Sequence, residues 1–132
     1  MEIDKYVFNE KIEYVQRERE ELKEEAKEKL KKDLQSADFF EVEKQLWKTL
    51  MLYQEEIFQT AKGLEFYYKI KGNEIFFSRK EKSVTRASVS IALKTAIELQ
   101  NENIIIKGPK MLKIFGASYI YPIFLKVGVI KI

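Results

Sequence analysis

Three features of this 132-residue sequence predict an α+β fold. Residues 9–34 contain no Gly or Pro and are dominated by Glu, Lys, Arg and Leu, which favour helix. Leu64, Phe66, Tyr68 and Ile70 alternate with Glu65, Tyr67 and Lys69, and the following Gly72-Asn73 pair is a tight hairpin turn. Val84, Val89, Ala92, Leu93, Ala96 and Ile97 then return to helical spacing. The expected architecture is two N-terminal helices, the first long and charged and the second in the core. A β-hairpin, a third helix and a short mixed C-terminal segment follow, packed on one small antiparallel sheet. Residues 1–35 form a charged helical extension and residues 36–132 a compact core, together one domain.

The first helix carries a narrow apolar stripe of Ile12, Val15, Leu22, Ala26, Leu30 and Leu34, interrupted at Arg19. Such a stripe suits either a solvated helix leaning on the domain or the seam of a homodimer. The (i, i+4) pairs Glu25–Lys29 and Glu28–Lys32 support it. A break at Gln35-Ser36-Ala37 precedes Asp38, which with Glu41 resembles a capping box. The second helix is expected over residues 39–60, ended by Gly63. Its apolar residues form two stripes, one through 39, 42, 46, 50, 53 and 57, the other through 40, 47, 51 and 58, so Trp47 reads as core.

In the hairpin, Lys71 is set across from Glu74, Ile70 from Ile75 and Tyr68 from Phe77. Phe66, Tyr68, Ile70, Ile75 and Phe77 then share the face that covers the second helix. Tyr67, Lys69, Phe76 and Ser78 share the other, which is too apolar for plain solvent: either an element covers it or it is a contact surface. Ser83 or Thr85 caps the third helix. Beyond it, Ile104-Ile105-Ile106 reads as a buried strand and Gly108-Pro109 as a turn. Ser118 is the expected cap of a last helix with Pro122 in its first turn, and residues 129–132 are expected as an edge strand.

Composition narrows the chemistry. With no Cys, disulfides, thiolate ligands and cysteine nucleophiles are excluded. With no His, the commonest general base and transition-metal ligand are missing as well. The basic half holds only five acids, Glu65, Glu74, Glu81, Glu98 and Glu102, too scattered to suggest converging metal-binding carboxylates. No enzyme, cofactor or metal is therefore expected. The start MEIDKYVFNEK has acids and no apolar run, and no window approaches a membrane span, so a cytoplasmic protein without membrane attachment is expected.

Charge gives the functional expectation. Residues 1–60 hold 11 Lys+Arg against 16 Asp+Glu, a balance of −5; residues 61–132 hold 13 against 5, a balance of +8. The start of the third helix gathers Ser83 and Thr85 with Arg79, Lys80, Lys82 and Arg86, and Lys107, Lys110 and Lys113 add to the positive side. Hydroxyls, cations and free helix N–H groups are what phosphate recognition requires, although caps and solvated loops use the same residues. The expected function is a non-enzymatic binding or regulatory protein whose basic half contacts nucleic-acid phosphates. The alternative is a small inhibitor or adaptor of mobile-element type, anti-CRISPR-like, that docks on a nucleic-acid-handling protein. Tyr67, Phe76, Ile12, Val15 and Leu22 are the candidate protein-interface residues.

Overall fold

The computed structural model describes residues 2–79 and 81–132, with side chains described at Glu13 and from Val15 onward. Lys80 and the side chain of Ile12 lie outside the described residues. The class is α+β: α1 (Glu2–Ser36), α2 (Phe39–Leu52), β1 (Phe58–Gln59), β2 (Glu65–Phe66), β3 (Tyr68–Lys71), β4 (Glu74–Phe77), β5 (Val84–Thr85), α3 (Arg86–Asn101), a 3-10 turn (Pro109–Leu112) and α4 (Ala117–Val127). Two small antiparallel sheets, β1-β2 and β3-β4-β5, stand where one was expected.

The stripe of α1 divides in two. Leu30 is fully buried and Leu34 packs against the core, while Val15 and Leu22 stay exposed. The C-terminal turns of α1 therefore belong to the core, and its charged stretch from Val15 to Leu22 runs in solvent. Gln45 Nε2 of α2 donates to the Ala26 carbonyl at 3.2 Å, which fixes the two helices side by side. Lys29 pairs with Asp33 at 3.1 Å rather than with Glu25. Asp38 caps α2, accepting from Glu41 N at 3.0 Å.

α2 stops eight residues before the expected end. The chain after Tyr53 is used as cover for a sheet edge: Glu55 N donates to the Tyr68 carbonyl at 3.1 Å, and Ile70 N donates to Gln54 Oε1 at 2.7 Å. Bare edge strands invite wrong pairing, and these bonds close one. Phe58 then stacks on Phe66 with centroids 5.7 Å apart, which takes it into β1 instead of a helix. Gly63, at φ 82°, serves the β1–β2 turn and caps no helix. Of the second stripe, Trp47 and Phe58 are buried but Phe40 and Met51 are exposed.

The hairpin register is the one read from the sequence: Lys71↔Glu74, Ile70↔Ile75, Tyr68↔Phe77. Phe66, Tyr68, Ile75 and Phe77 are buried, and Tyr68 Oη donates to the Leu50 carbonyl of α2 at 2.6 Å. Tyr119 of α4 completes this layer, 5.0 Å from Phe66 and 4.8 Å from Phe77 by ring centroids. The buried Ala92 and Ala96 let α3 approach closely.

The C-terminal third departs most from expectation. Only Ile106 of the three isoleucines is buried, and no strand forms there. Residues 129–132 form none either. Gln100 stands in for a neighbouring strand: its Nε2 donates to the Val129 carbonyl at 2.9 Å and its Oε1 accepts from Lys131 N at 2.9 Å. α4 starts after Gly116, not Ser118, so Pro122 falls past its first turn. Gly116 has φ 81°, and a Cβ there would stand 2.5 Å from Val84 Cγ2, so the segment ahead of α4 closes tightly on β5. No helix among the described residues is long and apolar enough to cross a membrane.

Candidate functional site

The described hydroxyls and cations at the start of α3 meet separate partners. Thr85 is the N-cap, accepting from Ser88 N at 3.1 Å. Ser83 Oγ donates to Glu74 Oε1 at 2.8 Å. Arg86 reaches back to α2, where its Nε and Nη2 donate to the two oxygens of Glu43 at 2.5 and 3.3 Å and its guanidinium lies 5.2 Å from the Trp47 ring. Arg86 N donates to the Asn73 carbonyl at 2.7 Å. An anion approaching the groove at this helix start meets Glu43 and Glu74 as well as Arg86. Arg79 Nε donates to the Glu65 carbonyl at 2.7 Å, and Lys82 Nζ lies 5.8 Å from the Phe115 ring. The same residue types therefore hold elements together here, with Arg86–Glu43 tying α3 to α2.

Lys107, Lys110 and Lys113 are exposed along the segment whose 3-10 turn packs on α3 and α4. The contact of Phe115 with Lys82, and of Gly116 with Val84, brings the end of that segment to the β4–β5 loop.

The outer face of the three-stranded sheet is open. Tyr67 keeps 41% and Phe76 37% of its surface exposed, so no described element fully covers these two rings. Its construction follows from the ladder. Tyr67 N donates to Ser78 Oγ and Ser78 N to the Tyr67 carbonyl, both at 3.0 Å, just beyond the Tyr68↔Phe77 end of the β3-β4 ladder. Lys69 stands directly across from Phe76, with Tyr67 and Lys71 diagonal to it. Lys71 Nζ is 5.8 Å from the Phe76 ring. Lys69 also pairs with Glu55 at 3.5 Å, an exposed ion pair that holds it weakly.

Beside this face a surface groove of about 370 Å³ is lined by Arg19, Met51, Leu52, Gln54, Glu55 and Lys69. The open face and the groove share Lys69, and Arg19 of α1 and Glu55 also line the groove. The apolar alternation of the hairpin pointed to Tyr67, Lys69 and Phe76, and the same alternation adds Lys71. Nothing local in the sequence pointed to Arg19, which reaches the groove only through the packing of α1 on α2, or to Phe115. Among the described residues no three His, Cys, Asp or Glu converge into a metal-holding cluster. Comparison with protein-family models, curated proteins and solved structures gives no match for this chain.

Proposed function

We propose that this chain is a non-enzymatic nucleic-acid-binding protein whose basic C-terminal half contacts phosphates, with the outer face of the β3-β4-β5 sheet as the contact surface. One observation carries the reading: Tyr67 and Phe76 are exposed on one sheet face, with Lys69 across from Phe76 and Lys71 against the Phe76 ring. Exposed aromatic surface is unfavourable in plain water, and rings alternating with cations suit a ligand that is itself both flat and anionic. Lys82 and Arg79 leave the same sheet, and the +8 balance of residues 61–132 supplies the attracting field. A protein partner is the second reading, favoured by the exposed Phe40 on α2, 5.3 Å from Lys44 Nζ and outside residues 61–132.

Electrophoretic retardation of a mixed-sequence oligonucleotide at two salt concentrations tests the first reading. Retardation at low salt that weakens steeply toward physiological salt is expected, because each phosphate contact releases counterions. The double variant Lys69→Ser, Lys71→Ser should lower the logarithmic salt slope by about 1.5. An absence of retardation at low salt overturns the reading. Protein capture that survives nuclease treatment would then favour the second.

A further inference from the structure

We infer that Glu56 is a latch that docks α1 and α4 together, so that losing its one carboxylate charge loosens both helices where they meet while the sheet keeps its structure. Glu56 lies in the chain between α2 and β1, and its two oxygens face different helices. Oε2 is 3.0 Å from Lys23 Nζ of α1, and Oε1 is 3.5 Å from Lys126 Nζ in the last turn of α4. The end of α4 runs beside α1 here: a Cβ on Gly128 would stand 3.8 Å from Lys27 Cε. Two helices thus bring cations to one carboxylate, and without it the two ammonium groups repel one another.

Burial decides which of the local contacts matters. The Lys23 side chain keeps only 9% of its surface, and its ammonium lies 5.5 Å from the Tyr53 ring. Removing the partner of a buried charge leaves that charge uncompensated in the interior. Glu20, 3.1 Å from Lys23, keeps 69% of its surface and sits on α1 itself, so it ties α1 to no other element. Glu56 Oε2 is buried and accepts no well-directed hydrogen bond among the described residues, so the charge of Lys23 is what satisfies it. Lys23 is also the first buried residue among the described ones of α1, because Val15 to Leu22 are all exposed. Beyond it, buried Leu30 and the Gln45–Ala26 bond hold the rest of α1 independently of the latch. Arg19, one turn before Lys23, lines its groove with Lys69 from the stretch that the latch holds.

The test is amide hydrogen exchange, read by mass spectrometry on the full chain at neutral pH. Glu56→Gln keeps the side-chain shape and removes the charge. Exchange should rise by about fivefold or more in residues 19–27 and in the last turn of α4, and stay within about twofold in the β3-β4 hairpin. Adding Lys23→Met to that variant removes the uncompensated ammonium, so it should bring α1 back toward the parent and leave the end of α4 fast. Lys126→Met, at a half-exposed position that does not endanger the fold, should loosen the end of α4 alone. Unchanged exchange in both helices of Glu56→Gln, a rise in only one, or an equal rise that includes the hairpin each overturns the latch. Should Glu56→Gln fail to fold, Lys126→Met decides alone, and an unchanged end of α4 overturns the inference.

Discussion

The inner face of the hairpin puts Phe66, Tyr68, Ile75 and Phe77 into the core, whereas the outer face, one residue out of step, leaves Tyr67 and Phe76 in solvent beside Lys69 and Lys71. Both faces are aromatic. The inner set is enclosed by α2 and by Tyr119 of α4, and it closes its one buried hydroxyl on the Leu50 carbonyl. The outer set has cations where the inner one has helices. Aromatic content alone therefore does not separate core from site in this protein; the phase of a period-two pattern does.

The largest expected effect tests that contrast directly. Tyr68→Ala removes a fully buried ring and leaves the Leu50 carbonyl without its donor, so it should destabilise the fold by about 3–5 kcal/mol. Phe76→Ala, on the outer face, should stay within about 0.5 kcal/mol. Urea unfolding of both variants measures the difference. A comparable loss from Phe76→Ala would make the outer face structural and collapse the contrast.

The same contrast sorts the cations. Arg86 is held by Glu43 and lies on Trp47, and the Glu43 side chain is itself largely buried, whereas Lys71 touches only the Phe76 ring among the described contacts. Arg86→Ala leaves that carboxylate without its partner and should cost about 1–3 kcal/mol, with the oligonucleotide salt slope unchanged. Thermal unfolding and binding titrations on one preparation give both quantities. A salt slope lowered as much as by one lysine substitution would return the start of α3 to the interface.

The hairpin was legible in the sequence because everything that specifies it is local: the Gly72-Asn73 turn, the alternation and the register follow from adjacent residues. The caps Asp38 and Thr85 were legible for the same reason. The misread elements depend on partners distant in sequence. α2 ends early because Gln54 and Glu55 bond to β3, and Phe58 is claimed by Phe66. Residues 129–132 look like a strand, yet their backbone partner is the side chain of Gln100. Of the candidate site, Tyr67, Lys69 and Phe76 were readable, and the commitment of Arg86 to Glu43, 43 residues away, was not. A basic run shows which charges exist, and only the packing shows which are already paired.

The smallest effect concerns two buried tyrosines, Tyr53 at the end of α2 and Tyr68 of the inner layer. Burial, aided by Glu24, Glu56 and Glu20, pushes the Tyr53 hydroxyl up to about 12. Burial likewise raises Tyr68 well above the usual phenol value, with Glu56 and Tyr53 adding to it. An unfolded chain releases these protons near pH 10 while the folded one keeps them, so stability must fall as pH rises from about 10 to 12. Lys23 acts in the same direction. Burial opposes its charge, but Glu56 at 3.0 Å and Glu20 at 3.1 Å outweigh that and raise its pKa, so its contribution is present below about 10.5 and lost as pH climbs through the raised value. Tyr53→Phe has no proton to release and should recover about 1 kcal/mol of the loss at pH 11, after allowance for solvent screening. Its stability below pH 9 should follow the parent closely. Thermal unfolding at steps between pH 8 and 11.5 checks this. If the variant falls as steeply as the parent above pH 10, Tyr53 is not held neutral by the fold, and its surroundings at the end of α2 are wetter than its burial implies.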